Sequence, residues 1–158
     1  MAVAGDIFES WQRPQVVVRR LLDRGRSEPF AFSLLLTFLL LAFLALVPLL
    51  RREALGQPDV ALMPRLYASG LGLLLWVPLF YLLAALGHLI GRTLGGQGSY
   101  YGGRLALFWA AVATSPAMLL QGLVLGFIGI GSVTMLTGIL VMVIFLGFWT
   151  VMLREVES

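Results

Sequence analysis

Three long stretches without a charged side chain dominate this sequence. Asp, Glu, Lys and Arg are absent from residues 30–50, 66–90 and 105–153, which are 21, 25 and 49 residues long. About 20 apolar residues in a helix rise about 30 Å, which is the thickness of the hydrocarbon core of a bilayer. Each of the first two stretches therefore predicts one membrane span. The third is longer than one crossing needs, so we expect it to turn back on itself.

The glycines of the third stretch indicate where it turns. Gly126, Gly129 and Gly131 lie close together, and Ser132 follows them as a candidate N-cap for the next helix. Only 12% of the residues are charged and 59% are hydrophobic, whereas a soluble domain carries about 25% charge. We therefore predict an all-α, polytopic membrane protein. Its four transmembrane helices are expected at about residues 30–50, 66–90, 105–126 and 132–153.

The segment before the first span, residues 1–28, contains no long apolar run, so we interpret it as a permanent arm and not as a signal peptide. Val17 and Val18 fall on one helical face, and Arg19 and Arg20 fall on the other. This pattern predicts an amphipathic interfacial helix whose arginines face anionic lipid headgroups. A helix that docks on a partner protein is the alternative.

The distribution of arginine predicts the orientation in the membrane. The 11 basic residues are all arginines. Eight of them lie in the arm, in the loop between the second and third spans, and after the fourth span. The loop after the first span holds the other three, Arg51, Arg52 and Arg65. Because positive charge favours the cytoplasmic side, we expect the arm and the tail, residues 154–158, in the cytoplasm, joined by a transmembrane domain over residues 29–153.

The loop between the second and third spans is rich in glycine, and Gly95, Gly96 and Gly98 invite comparison with phosphate-binding loops. A Walker loop ends in Gly-Lys-Ser/Thr, and the chain has no lysine; the dinucleotide fingerprint has a different glycine spacing and follows a strand. The pattern instead predicts a tight turn in which Ser99 caps a helix that starts near Tyr100. A loop that recognises a partner is the alternative. We expect neither nucleotide nor nucleic acid to bind.

The spans themselves offer little chemistry. They contain no Asp, Glu, Lys or Arg, and such a group usually drives ion-coupled transport. The chain has no cysteine and a single histidine, His88, which cannot form a metal site by itself. We therefore predict no catalytic residue, no cofactor and no metal.

Prolines and small residues inside the spans are the candidate structural or interaction sites. Pro78 and Pro116 each remove a helical hydrogen bond and are expected to kink their helices. The nearby donors that could satisfy the freed carbonyls are Thr114, Ser115 and Gln121. Glycines four residues apart favour close helix approach, within one bundle or between two copies of the chain. They are Gly87, Gly91, Gly122 and Gly126.

Residues 87–122 resemble one known family. Gly95-Gly96-x-Gly98-Ser99-Tyr100 opening a hydrophobic helix, with Ser115-Pro116 further along it, is similar to the Yip family (Ypt/Rab-interacting-protein domain), especially its short bacterial members. The resemblance implies a polytopic α-helical membrane protein, which in eukaryotes is linked to Rab GTPases and vesicle traffic. The family usually has five spans, whereas four are expected here. The eukaryotic signature around a Gly-Pro element is missing, so Rab binding is not carried over.

These observations together predict a non-enzymatic integral membrane protein that binds or organises other membrane proteins or lipids. We expect it in the inner membrane of a bacterium, with lipids and other membrane proteins, or a second copy of the chain, as partners. A small transporter or channel lined by the carbonyls that the prolines free is one alternative. An accessory subunit of a larger membrane complex is the other.

Overall fold

The computed structural model describes residues 3–57, 59 and 61–158, which form helices and no strands. The helices are α1 Val3–Ser10, α2 Pro14–Leu22, α3 Glu28–Gly56, α4 Leu62–Leu74, α5 Trp76–Thr93, α6 Tyr100–Ile128 and α7 Ser132–Glu157. Over these described residues, four helical stretches are long and apolar enough to cross a membrane: α3, α4 with α5, α6, and α7. The predicted all-α, polytopic fold with four spans is confirmed.

Helix α6 lies at the centre of the bundle. Helices α1, α2, α3, α5 and α7 all pack against it, and every residue from Leu105 to Ser115 is buried. The sequence permits this because small residues such as Ala106, Ala110 and Ala113, which share one face of α6, let a neighbouring backbone approach closely. The half of α6 that follows the Gly-rich loop is therefore the core of the molecule.

Three prolines lie beyond the first helical turn of the spans, and they have different effects. The second span breaks at Leu75, between α4 and α5. Helix α4 ends at Leu74 because Pro78 has no N–H to donate to the carbonyl of Leu74. Helix α6 continues through Pro116, and α3 continues through Pro48, which the sequence analysis did not single out.

The donor near Pro116 differs from those predicted. Trp11 of the arm donates its Nε1–H to the carbonyl of Ala113 at 3.0 Å, three residues before Pro116. Thr114 donates instead to Ala110, and Gln121 donates to Thr134. This long-range contact from the arm thus reaches the carbonyl next to that of Val112, which is the one that Pro116 frees.

The N-terminal arm consists of two short helices, and its apolar face packs on the protein's own bundle. Val17, Val18 and Leu21 of α2 are buried where α2 packs against α6 and α7. In α1, the Ser10 hydroxyl accepts a hydrogen bond from Nε1 of Trp109 at 2.9 Å. The amphipathic pattern predicts a helix, as observed, and its buried apolar side chains contact other helices of the chain.

The turn between α6 and α7 lies at residues 129–131 and depends on Gly129, which has a φ of +87°. Ser132 was expected to cap α7, but the helix already includes it and Gly131 is the N-cap. Thr134 takes over the capping role, since its Oγ1 accepts from the N–H of Gly131 at 2.8 Å. The hydroxyl of Thr134, in the first turn of α7, is thus better placed for this bond than the hydroxyl of Ser132, the first residue of the helix.

Candidate functional site

A buried acid–histidine pair joins three parts of the chain at one end of the bundle. Nδ1 of His88 in α5 and Oε1 of Glu157 in α7 are hydrogen-bonded at 2.6 Å, and both side chains are buried. The other carboxylate oxygen of Glu157 accepts the N–H of Gly98 at 3.2 Å. The backbone carbonyl of Glu157 accepts the N–H of Gln97 at 2.8 Å. Helices α5 and α7 and the loop before α6 are thereby held together.

Glycine is required around Glu157 because there is no space for a side chain. A Cβ atom on Gly91 would lie 2.8 Å from Cγ of Glu157, and one on Gly96 would lie 2.8 Å from its Cβ. A Cβ on Gly98 would overlap the backbone carbonyl of Val156. Gly95 reverses the chain with a φ of +93°. The Gly-rich loop therefore closes tightly over the last turn of α7.

The start of α6 completes this end. The Ser99 hydroxyl accepts the N–H of Gly102 at 3.1 Å, so the predicted N-cap and the helix start at Tyr100 are both observed. The Tyr100 ring lies edge-on to the His88 ring, with centroids 4.3 Å apart. In the described part of the chain, His88 has Glu157 as its hydrogen-bond partner, and the hydroxyl of Ser99 is engaged with Gly102. This geometry holds the start of α6 against α5 and the end of α7.

Ion pairs join the two helices of the arm to each other and join the arm to the same end of the bundle. Arg19 pairs with Glu155 near the end of α7. Arg20 pairs with Glu9 of α1 through two bonds, at 2.8 and 2.9 Å, and with Asp6 at 3.2 Å. The hydrogen bonds from Arg20 lower the pKa of Glu9 below its usual value. The two arginines predicted to face lipid headgroups are thus paired with carboxylates of the protein.

A polar cleft opens beside this cluster, between the start of α3, the end of α5 and the start of α6. Its volume is about 330 Å³, and we call it the arginine cleft. Three arginines, one glutamate and the first residues of α6 line it. They include Arg26, Arg92, Arg104, Glu28, Ser99 and Tyr101. Arg104 pairs with Glu28 through Nη2. Together, the three arginines and Glu28 give the cleft a net charge of +2.

The small-residue faces within the spans contact other helices of the same chain. A Cβ on Gly122 would overlap the carbonyl oxygen of Ala45, and one on Gly126 would overlap Pro48, both in α3. A Cβ on Gly87 would lie 2.8 Å from the Trp149 ring of α7. These glycines therefore serve packing inside one bundle.

The opposite end of the bundle is joined by arginines as well. Arg52 donates to the carbonyls of Gly126 and Phe127 at the end of α6, at 3.3 and 2.8 Å. Arg65 pairs with Glu53 at 3.3 Å. The three arginines that the sequence assigned to one loop do lie at one end, away from the arm.

The structure brings most of the predicted site residues to one place. They are Gly87, Gly91, Gly95, Gly96, Gly98, Ser99, Tyr100, Arg19 and Arg20, at or near the arm end. Gly122, Gly126, Pro78 and Pro116 lie elsewhere, in the spans. Glu157 is a functional residue that the sequence did not single out, because it lies in the predicted tail. The available signal was an acidic residue four positions after the last charge-free residue of the fourth span.

Comparison with known proteins agrees with the resemblance noted from the Gly-rich loop. A family model described as the Yip1 domain matches residues 8–157, which is nearly the whole chain. Comparisons with curated proteins and with solved structures give no match. The match spans the arm, all four spans and the loop that closes on Glu157. The chain therefore belongs to the Yip1 domain family.

Proposed function

We propose that the protein is a non-enzymatic integral membrane protein that binds or organises other membrane proteins or lipids. The observation that carries the proposal is the division between its two kinds of surface. Polar and charged side chains such as His88, Glu157 and Arg52 are used at the bundle ends to close the fold on itself. The outer faces of the spans present apolar side chains.

The outer faces of α4 and α7 illustrate this. Helix α4 has no buried residue among its 13, and Leu71 and Tyr67 on it are exposed. Leu136, Ile139 and Leu140 of α7 are exposed too. Such faces are stable in lipid and available to the spans of another membrane protein. They support binding as the role of the chain.

The polar groups inside the spans support this role over transport. Thr137 and Thr150 each donate to a carbonyl of their own helix, and Gln121 joins α6 to α7. These bonds lie within the helices or join two of them. In this proposal the protein lies in the inner membrane of a bacterium with both termini in the cytoplasm, as the arginine distribution predicts.

Photo-cross-linking in native membranes tests the proposal. A photoreactive amino acid replaces Leu140, which is exposed on α7, and in a matched variant it replaces Ala110, which is buried in α6. We expect the Leu140 variant to form adducts with lipid or with a discrete membrane protein, and the Ala110 variant to form only adducts within the chain.

Flux measurements provide the contrary outcome. Liposomes that contain the purified protein should be no more permeable to ions or small solutes than empty liposomes. Solute flux that requires the protein and is abolished by Gln121→Ala would contradict the proposal and favour a transporter.

A further inference from the structure

We propose that the arginine cleft binds the phosphate group of an anionic phospholipid. The inference deepens the proposed function, because it names a lipid class and a place on the protein where that lipid binds. It rests on the shape, charge and unpaired donors of the cleft and on its level relative to the spans.

The cleft combines several groups that recognise phosphate. Arg26 and Arg92 are exposed at its mouth, and Arg104 lies deeper and is partly buried. Guanidinium groups bind phosphate oxygens through paired, charge-assisted hydrogen bonds. Glu28 neutralises only one of the three arginines. An anion entering the cleft therefore meets a net positive charge.

Two residues that line the cleft carry buried donors with no partner within the described part of the chain. These donors are the hydroxyl of Tyr101, a residue that is only 4% exposed, and Nε of Arg104. A buried donor without an acceptor is unfavourable, and in the proposed complex a phosphate oxygen supplies an acceptor. Helix α6 also begins at the cleft, and its first backbone N–H groups and its dipole favour an anion there.

The level of the cleft favours a lipid headgroup as the source of the phosphate. Arg104 directly precedes the charge-free residues 105–153, and Arg92 follows the last charge-free residue of the second span, Ile90, by two positions. Arg26 precedes the first span by a few residues. The phosphates of a bilayer lie just outside its hydrocarbon core. Anionic lipid in that layer is the available ligand for such a cleft.

The test measures lipid binding to the purified full-length protein in a neutral detergent by native mass spectrometry. Phosphatidylglycerol is the probe, and phosphatidylcholine is the zwitterionic comparison. Arg92→Gln removes one cleft arginine, and Arg154→Gln is the matched control because Arg154 is exposed at the end of α7 outside the cleft. We expect Arg92→Gln to weaken phosphatidylglycerol binding about tenfold and Arg154→Gln to leave it unchanged.

Two further variants keep the test independent of folding. Arg26→Gln changes an exposed residue between α2 and α3, so the fold does not depend on it. It should weaken binding as Arg92→Gln does. Tyr101→Phe removes only the unpaired hydroxyl and should weaken binding about threefold. The midpoint of thermal unfolding of each variant, measured without lipid, verifies that it is folded.

Several results would overturn the inference. One is equal binding of phosphatidylglycerol and phosphatidylcholine. Another is an equal loss of phosphatidylglycerol binding in Arg26→Gln and Arg154→Gln. The third is binding of glycerol phosphate or an acidic peptide that phosphatidylglycerol does not displace. Either of the first two results would show that the cleft is not a phospholipid site. The third would show that its ligand is a soluble phosphate or a protein. The Leu140 cross-links do not involve the cleft, so their persistence in Arg92→Gln would show that the proposed function stands when this inference fails.

Discussion

Among single residues, Glu157 has the largest consequence for the fold. Its carboxylate accepts hydrogen bonds from His88 in α5 and from the N–H of Gly98 in the loop before α6, while its own helix is α7. A buried carboxylate satisfied on both oxygens stabilises the fold, and removing part of this arrangement leaves buried donors unpaired. The end of the bundle therefore depends on one side chain.

Replacing Glu157 by Gln tests this dependence. Glutamine has nearly the same shape but is neutral and has one acceptor oxygen. It therefore loses the charge-assisted hydrogen bonds, and it meets both His88 and Gly98 only if its NH2 group donates to Nδ1 of the other histidine tautomer. We expect the free energy of unfolding to fall by about 1–3 kcal/mol. Denaturation in mixed micelles, followed by circular dichroism, measures it. Glu155→Gln is the control, because its partner Arg19 is largely exposed and such pairs contribute about 0–1 kcal/mol. Equal losses in the two variants would contradict the assigned role.

The Arg20–Glu9 pair gives the arm a dependence on pH. Its hydrogen bonds lower the pKa of Glu9 in the folded protein, so the pair stabilises the fold above the ordinary pKa of a glutamate. This contribution is lost as the pH falls through the lowered pKa. Glu9→Gln should therefore destabilise the protein at pH 7, and its effect should shrink as the pH falls below the ordinary pKa of a glutamate. Unfolding midpoints across this range measure the change, and in an Arg20→Gln background the effect of Glu9→Gln should vanish at every pH.

The residues also show where sequence information ends. The cap at Ser99 follows from local chemistry, and the structure has it. The partner of His88 does not follow from local chemistry. Glu157 is 69 positions away, and a sequence does not give the spatial distance between two residues so far apart along the chain. The same holds for Trp11, whose indole reaches Ala113 across the bundle. Local bonds were predictable, and long-range bonds were not.

At the level of helices, the contact between α3 and α6 depends on glycine. Gly122 and Gly126 lie one turn apart on α6 and contact Ala45 and Pro48 of α3. The spacing indicated that α6 had a face for close approach, but not that α3 would pack there. The missing side chains of the two glycines leave room for the Ala45 carbonyl and the Pro48 ring, so the two backbones come close.

Gly122→Ala tests this helix contact. The added Cβ would overlap the backbone carbonyl of Ala45, which cannot move without shifting α3, so we expect a loss of about 1–3 kcal/mol in the free energy of unfolding. Gly147→Ala in α7 is the matched control, since nothing lies within 4 Å of its added Cβ and alanine favours the helix. Unfolding in mixed micelles measures both. A Gly122→Ala protein as stable as Gly147→Ala would contradict this packing.

The arm shows how a helix can be recognised while its environment is missed. The segregation of Val17 and Val18 from Arg19 and Arg20 predicted an amphipathic helix, and Pro14 begins it in the structure. Amphipathicity measures the need to bury one face and does not identify what buries it. Here α6 and α7 bury the valines, and carboxylates of α1 and α7 pair with the arginines.

For the whole molecule, the contacts separate two ends. The arm, the loop before α6 and the end of α7 meet at one end through Arg19–Glu155 and His88–Glu157. The loop after α3 and the turn before α7 meet at the other end through Arg52 and the carbonyl of Phe127. Charge counting on the sequence grouped the same segments, because each passage through a charge-free stretch moves the chain to the other end.

Labelling single cysteines in intact cells and in inverted membrane vesicles tests which end faces the cytoplasm. The native chain has no cysteine, so Gln57→Cys and Gln97→Cys each introduce one thiol at an exposed position of the same original residue type. Gln97 lies in the loop at the arm end and Gln57 follows α3 at the other end. A membrane-impermeant maleimide should label Gln57→Cys in intact cells and Gln97→Cys only in inverted vesicles, since eight of the 11 arginines lie on the side of Gln97. Labelling of both from one side would contradict the four-span topology, and the reversed pattern would place both termini outside the cytoplasm.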